Sequence, residues 1–583
     1  MYANGAKIVK LPTVGTLHIL TTGYVYWEND GVWDKNKRRM TDHRLPIGKL
    51  IDRDAGTMHP NKTYATLFNP DGTLLQKTDS QSKTAETAAT GDSQMAELPA
   101  VSKEPGRFST YLSYGVYYSL YAAAEKIGCI DSLKESHPCH WDRIFALAVH
   151  CIDAENSVAQ DYCYWAFDNY AGLEKNLSSG EISELYETIA DDPTAMQRFI
   201  RKFHEQYLQR YPDVKEHAVA FDSTNQNTNS RNITLAEYGH PKINEELPDI
   251  NTALIVDQET GIPLYYEHFY GSLIDKTQSP VTVARLEDLG FKKLFFMMDR
   301  GYCTQGVVDA MKDQSFAFMC TGNLLFVKEL IGTYASEIKD REQYYIPEEN
   351  VYGIKVPSVN AFGGTYTCYV YYDSERAQDE RTTIHLKIKA LQEQAGSRKR
   401  YSDKLRDKYS KWLTITKLDH KDPATGRNFS ITTNIDAVQE CINEAGFFVV
   451  LSNTDKTATQ MIQIARMRDQ DEKAFRRIKS HFGLTKTYVH NEKTYEGKMF
   501  VAFIALIVCE AYRWYIRSQL HSCSSMTTAT TLGELRKYKI QQGESRKWIP
   551  IYAMTKRQKQ LLRCLDRTEH DVREAVKALT LQV

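Results

Sequence analysis

Residues 468–479 read Arg468-Asp-Gln-Asp-Glu472-Lys-Ala-Phe475-Arg-Arg-Ile-Lys479. On an α-helix with about 3.6 residues per turn, Arg468, Glu472, Phe475 and Lys479 fall at i, i+4, i+7 and i+11, on one stripe. That stripe sets a carboxylate between two cations, with an aromatic ring packing beneath. A carboxylate so flanked suits a divalent metal, and the cations suit phosphate oxygens. Upstream, His217-Ala-Val-Ala-Phe-Asp222 and Lys293-Leu-Phe-Phe-Met-Met-Asp299 are apolar runs that each finish on an acid. Both read as strands, predicted to be neighbours. Two carboxylates at adjacent strand ends repel unless a cation lies between them.

Glu472, on a helix packed against the same sheet, would complete a hard oxygen site for Mg²⁺, with Mn²⁺ able to substitute. Phosphodiester cleavage calls for such a site with two ions about 3.5–4 Å apart: one activates a water or a 3′-hydroxyl, the other steadies the leaving oxygen. Singly, each Asp is equally well read as a turn residue. Asp257, Asp275, Asp469 and Asp471 compete for the role, although Asp471 lies about 100° around the helix from Glu472 and off the stripe.

Between these acids the pattern is specific. Runs at 252–257 and 262–269 flank Glu259-Thr260-Gly261, a hairpin turn. A helix at about 280–289 ends at Gly290, the strand to Asp299 follows, then a helix at about 304–312 and the strand Phe316–Cys320. The order β-β-β-α-β-α-β is that of a ribonuclease H-like core lacking its last, acid-bearing helix. That helix is delayed by residues 324–445, read as β-rich with a basic helical stretch near 384–411.

The expected architecture is multidomain α/β. Residues 1–75 form an N-terminal β module, with Lys35, Lys37, Arg38 and Arg39 in its central turn region; 76–105 a flexible Ser/Thr/Ala/Gln-rich linker; and 106–215 a helical region. The mixed-sheet core occupies 216–323 and 446–525, interrupted by the insertion at 324–445, and 526–583 is a basic helical tail. A tyrosine stripe at 111, 114, 118 and 121 reads as core packing, with base stacking the alternative.

A length of 583 residues implies several domains, and 42% hydrophobic with 25% charged content is that of a globular protein. Net charge is −1, so nucleic-acid affinity must come from local clusters: 35–62, 387–417 and 536–563 are each rich in Lys and Arg. The eleven cysteines form no CxxC pair, the longest apolar run, Met499–Cys509, is too short for a bilayer, and the first 25 residues lack a signal-peptide pattern. No membrane partner is expected, and the cytoplasm is the expected compartment. Cys139-His140 and His150-Cys151 match no common zinc spacing.

Here the chain resembles a family. Arg468, Glu472 and Lys479 match the Tyr-(2)-Arg-(3)-Glu-(6)-Lys signature of a branch of DDE transposases from bacterial insertion sequences. Phe221-Asp222-Ser-Thr224, Leu264-Tyr-Tyr-Glu267, Gly271-Ser-Leu-Ile-Asp275, Asp299-Arg-Gly-Tyr302 and Gly497-Lys-Met-Phe500 are similar to that branch too, over about 217–520. The signature tyrosine would stand at 465, where this chain has Ala465, which leaves one transposon-end contact in question. The resemblance implies Asp222, Asp299 and Glu472 as catalytic metal ligands. It implies Arg468 and Lys479 as ligands of DNA-end phosphates, and a DNA-binding or dimerisation role for the helical region at 106–215. Arg300, Tyr302, Lys473 and Arg476 are further DNA-binding candidates, with Lys473 and Arg476 equally well read as solvated. Trp412 is the only tryptophan at 324–445 and reads either as a base-stacking group or as strand core.

The implied activity is cleavage at the inverted-repeat ends of an element and strand transfer into target DNA, in a homodimeric synaptic complex at the bacterial nucleoid. A structure-selective nuclease of the same fold, and a transposase-derived DNA-binding protein without activity, are the rivals.

Overall fold

A computed structural model of the chain describes residues 8–14, 16–19, 24–28, 32–34, 39–41, 44–53, 55–73, 111–210, 217–239, 246–291, 294–320, 322–467, 469–520, 526–542 and 547–579. The chain divides into two units, Met1–Val101 and Ser102–Val583. The linker expected at 76–105, Lys35, Lys37, Arg38 and Arg468 lie outside the described residues, as do the side chains of Arg39 and of residues 469–472.

In the first unit, alternation in Tyr24-Val-Tyr-Trp-Glu28 buries Val25 and Trp27 and leaves their neighbours outward, so a sheet forms with one covered face. Its five strands lie in the order Val9–Lys10, Thr57–Pro60, Arg44–Asp52, Tyr24–Glu28, Thr16–Ile19. Helix Lys62–Leu67 closes the covered face, where Trp27 meets Phe68 edge-on at 5.0 Å.

The second unit is organised by one ten-stranded sheet. Its strands and helices in chain order are β1 (His217–Thr228), β2 (Asp249–Asp257), β3 (Pro263–Tyr270), α1 (Asp275–Asp288), β4 (Leu294–Met298), α2 (Gln305–Ala310), β5 (Ser315–Met319) and α3 (Leu325–Ile338). Then come β6 (Val351–Ala361), β7 (Gly364–Tyr372), α4 (Ser374–Gly396), α5 (Asp403–Tyr409), the hairpin β8 (Leu413–Lys417) and β9 (Phe429–Thr433), and α6 (Ile435–Glu444). The last elements of this part are β10 (Phe447–Ser452), α7 (Ala458–Met467), α8 (Asp469–Arg476) and α9 (Glu492–Gln519).

Strands lie in the order β3-β2-β1-β4-β5-β10-β7-β6, extended at one edge by Tyr345–Ile346, with Lys486–Thr487 pairing the end of β1. β1, β4 and β5 run parallel; β2 and β3 join antiparallel through the turn at Gly261, whose φ of 77° a side chain would oppose. β4, Leu-Phe-Phe-Met-Met, is buried throughout, as a parallel strand covered on both faces must be. The element order from β1 to β5 is the one the sequence predicts.

Residues 324–445 carry the expected strands and more helix than the sequence indicates. β6 and β7 are not a separate module: β10 bridges β5 to β7, so they prolong the core sheet. Only α4, α5, α6 and the β8–β9 hairpin close around a core of their own, including Tyr409, Leu413, Ile415 and Phe429.

Helices Gly115–Lys126, Trp141–Asp153 and Ser179–Asp191 pack on α9, the buried centre of the helical side. By length and hydropathy α9 could cross a membrane, but most of its apolar stretch is enclosed by this chain, which marks a core helix. Gly497 lets Tyr186 approach; a Cβ there would meet its carbonyl oxygen at 2.0 Å. The tail departs from its expected all-helical form. Besides helices Thr528–Arg536, Lys556–Arg563 and Glu569–Lys577 it supplies strands Lys539–Gln542 and Trp548–Pro550, the first pairing with Tyr111–Ser113. Tyr111 is therefore an exposed strand residue, while Tyr114 is buried 5.8 Å from Tyr118 and Tyr117 takes the place beside Tyr121.

Candidate functional site

β4 stops at Met298, paired with Phe221 of its parallel neighbour β1. The next residues in register are Asp299 and Asp222. Adjacent strands lie about 4.8 Å apart, so the two carboxyls project from neighbouring backbone positions at the carboxyl end of the parallel strands, where open α/β sheets place their ligands. The sequence predicts Asp222 at a strand end. In fact β1 continues six residues further, to Thr228, and it is the neighbour that ends. Asp222 Oδ1 accepts from the Ser223 N–H at 2.8 Å, and Asp299 Oδ1 from the Arg300 N–H at 2.7 Å. Each carboxylate thus has one oxygen fixed by its own backbone.

Tyr302 is buried beside them, its ring edge-on to Phe221 at 5.2 Å. Burial pushes its phenol far above the usual range, and the charges of Asp275, Asp222 and Asp299 push it further. Three carboxylates therefore surround a phenol that stays neutral. Arg300 is exposed at the rim.

Asp275 arrives through a loop that its residue types dictate. The Asn251 amide donates to the carbonyls of Tyr270 (2.9 Å), Gly271 (3.2 Å) and Leu273 (3.0 Å), pinning the turn after β3. Gly271 has no room for a side chain, since a Cβ would meet the Asp249 carbonyl oxygen at 2.0 Å. A cavity of about 180 Å³ lies among Ser223, Asn225, Asn251, Leu273 and Asp275. Asp257, by contrast, is buried in the β2–β3 turn, where it accepts from Thr260 N at 2.9 Å and faces His217; it is a scaffold acid.

α8, which bears Glu472, packs against β1 and β2, with Ala474 and Phe475 buried in the main core. Position 472 is three residues, or about 60° around the helix, from Phe475. Its side chain and that of Asp471 lie outside the described residues, and so does Arg468. Lys473 and Arg476 are exposed. Lys479 is half-buried and off the regular stripe, because Arg477–His481 is a π turn that inserts extra backbone into the helical repeat. Among the described residues no group of three or more His, Cys, Asp or Glu is gathered for a metal. The oxygen chemistry of Asp222 and Asp299, on adjacent strands, fits a hard divalent ion better than a softer metal. The Cys139–Cys151 pairs are not drawn together as a metal site; His150 is buried 5.4 Å from both Tyr162 and Trp165.

Trp412 packs half-buried on the separate core of the insertion, with the ammonium groups of Lys387 and Lys411 at 4.8 and 5.3 Å from its ring centre.

Sequence reasoning missed one buried cluster. Glu510 of α9, 2% exposed at its side chain, pairs with both Arg477 and Arg513, the latter at 2.7 Å. A lone acid in the otherwise apolar run after Met499 was the available signal, since such a charge must find cations.

Residues 215–508 match the family described as Transposase DDE domain. No curated protein matches the chain. Among solved structures, the chain is similar to a piggyBac transposase synaptic complex with hairpin DNA, at 10% identity over 80% of this chain and 74% of that one, with a TM-score of 0.29. Another is a Mos1 transposase paired-end complex with left transposon end, at 11% identity over 38% of this chain and 62% of that one, with a TM-score of 0.14.

Proposed function

The chain belongs to the Transposase DDE domain family, and from that premise we propose that it is the transposase of a bacterial insertion sequence. In this reading the sheet from β1 to β5, with α8, is a ribonuclease H-like core. It cuts DNA at the inverted-repeat ends of the element and joins the freed 3′-hydroxyl to target DNA by direct transesterification. The adjacency of Asp222 and Asp299 on parallel strands, with the Glu472 helix packed on the same sheet, is the observation that carries it.

Asp222, Asp299 and Glu472 would hold two Mg²⁺ ions. When bound, those ions would supply Lewis-acid activation of the attacking oxygen and charge neutralisation at the leaving one. The Ser223 and Arg300 amides orient the two aspartates, so less ordering is left for the moment of reaction. Neutral Tyr302 walls the floor beneath them without adding charge. Arg300, Arg468, Lys473, Arg476 and Lys479 would take DNA phosphates, a positioning role, and Trp412 would stack on a base of the bound end. The N-terminal β module and the helical region would recognise the terminal repeats, with two copies synapsing two ends in the cytoplasm.

The test is incubation of the protein with DNA carrying the element's own ends, in Mg²⁺ or Mn²⁺, with both cleaved and joined products resolved. Joined products support the transposase. Fragments without joining from pre-cleaved ends would mean a nuclease, and binding without nicking in either metal would mean an inactive DNA-binding descendant.

A further inference from the structure

The proposed chemistry leaves the cations of 536–563 without a task, and the fold sorts them. Arg536 is answered by Asp153 at 2.6 Å, Lys537 by Glu534 at 2.7 Å and Lys559 by Glu569 at 2.7 Å. Lys556, Arg557 and Arg563 are exposed and make no ion pair among the described residues. These three share one helix, Lys556–Arg563, whose inner face fixes its orientation. Thr555 caps it in a reciprocal box with Gln558. Gln558, Leu561 and Leu562 are buried, and the Gln558 amide donates to the Glu534 carbonyl at 2.9 Å. Past the other end, the Lys126 ammonium donates to the Cys564 carbonyl at 3.3 Å. With 558, 561 and 562 inward, Lys556, Gln560 and Arg563, at i, i+4 and i+7, form the outward stripe, with Arg557 at its edge.

The acids nearby are committed elsewhere. Glu569 serves Lys559 and Arg573, and Glu574 serves Lys577 at 2.6 Å. Asp566 pairs with Lys126 at 2.7 Å, and Asp571 accepts from the Thr568 hydroxyl at 2.8 Å. Glu534 is held by Lys537 and feels Arg557 only from beyond ion-pair distance. Three cations on one anchored face, in a chain of net charge −1, make a local excess suited to a polyanion. From Lys556 to Arg563 the helix rises about 10 Å, the length of about three nucleotides at 3.4 Å per step of one strand. Long exposed side chains without neighbours to fix them suit phosphates, which need charge, better than base edges, which need fixed donors. The half-buried Asp222 and Asp299 repel phosphate until cations join them, so DNA needs a hold outside that site.

We propose that the helix Lys556–Arg563 grips the backbone of duplex DNA without reading its sequence, through Lys556, Arg557 and Arg563. A grip of this kind suits target DNA, which need not share sequence with the element's ends. The proposal rests on the transposase reading, which supplies duplex DNA as the partner.

The experiment titrates the whole chain into two fluorescent blunt duplexes of unrelated sequence, across roughly 50–200 mM salt. EDTA is present throughout, so that the acidic site cannot recruit DNA through a metal. Each phosphate contact contributes about 0.9 to the slope of log affinity against log salt. Lys556→Gln, Arg557→Gln and Arg563→Gln together should therefore make the slope shallower by about 2–3 and weaken both duplexes alike. Lys312→Gln, Lys493→Gln and Lys577→Gln remove three exposed ammoniums that are each paired with an acid, and should leave the slope unchanged. Glutamine matches lysine and arginine in helix propensity, so both triple variants should melt with the parent. An unchanged slope in the first triple, an equal loss in the second, or a loss confined to one duplex would overturn the proposal. Cleavage of the element's ends in Mg²⁺ is scored in parallel. Its absence in the parent would count against the transposase reading, whereas cleavage by a parent whose slope the first triple does not alter would count against the helix alone.

Discussion

Two places on the β1–β2 pair treat aspartate in opposite ways. At one end Asp257 is 3% exposed; its Oδ1 accepts from Glu259 N at 3.1 Å, Thr260 N at 2.9 Å and Thr260 Oγ1 at 3.0 Å. His217 faces its other oxygen at 3.4 Å, and Tyr207 closes the corner through Thr260 Oγ1 at 3.1 Å. Three positions along β1 from Val219, the partner of Asp257, Asp222 stands half-buried beside Asp299 of β4, with Asp275 nearby, like charges gathered around one phenol. The first arrangement lowers the energy of the fold. The second raises it unless a cation intervenes, and a protein tolerates such a cost where chemistry requires it. The residue type is the same at both places; the surrounding donors separate scaffold from candidate site.

The largest expected effect is on Asp299. Asp299→Asn should reduce strand cleavage by roughly a thousandfold or more, the several kcal/mol expected of a lost metal ligand, while the melting temperature holds or rises because a repulsion is relieved. Gel-resolved cleavage beside thermal denaturation checks both halves, and a large loss of stability would place Asp299 with Asp257 instead.

Glu510 extends the scaffold side of the comparison. Glu510→Gln leaves Arg477 and Arg513 buried without a carboxylate and should cost about 3–5 kcal/mol in urea unfolding. A change below about 1 kcal/mol, the worth of an exposed pair, would show that water already reaches these groups. Asp257→Ala comes next, at about 2–3 kcal/mol, since it strands buried turn N–H groups. Cleavage per folded molecule should survive this change, and its loss would blur the distinction between the two places.

The smallest effect concerns pH at the scaffold end. His204 is 3% exposed, stacks on Phe291 at 3.9 Å, and has no hydrogen-bond partner for either ring nitrogen among the described residues. Burial lowers its pKa to about 4, with His217 adding repulsion. The native state therefore keeps it neutral while the unfolded chain protonates it below about 6.5, so stability falls as pH drops from there toward about 4. Between pH 7.5 and 5.5 the parent should lose about 1 kcal/mol more than His204→Leu by denaturant titration. Equal losses would show that the imidazole is hydrated.

Much of the fold was legible because its signals are local. Apolar runs bounded by turn residues mark β1 to β5, and Gly261 and Gly290, at φ 77° and 83°, mark where a turn or helix must end. The acid at the end of β4 and the helix at 469–476 were readable for the same reason. The length of β1 was not, because its last residues are held by β2 and by Lys486–Thr487, more than two hundred positions away. Nor was the fate of β6 and β7, which join the core sheet only through β10.

Within the candidate site, helical periodicity identified the stripe through Phe475 but could not foresee the π turn that displaces Lys479. Nor could it foresee that Arg477 is buried, since that rests on Glu510 reaching across from α9. From β1 to β5 and at α8 the sequence alone determined the kinds of elements, their order and the acids they carry, since propensity and spacing act within a few residues. Tertiary structure decided which acids meet, which are absorbed by turns and which cations are buried, because those outcomes depend on desolvation and on partners far away along the chain.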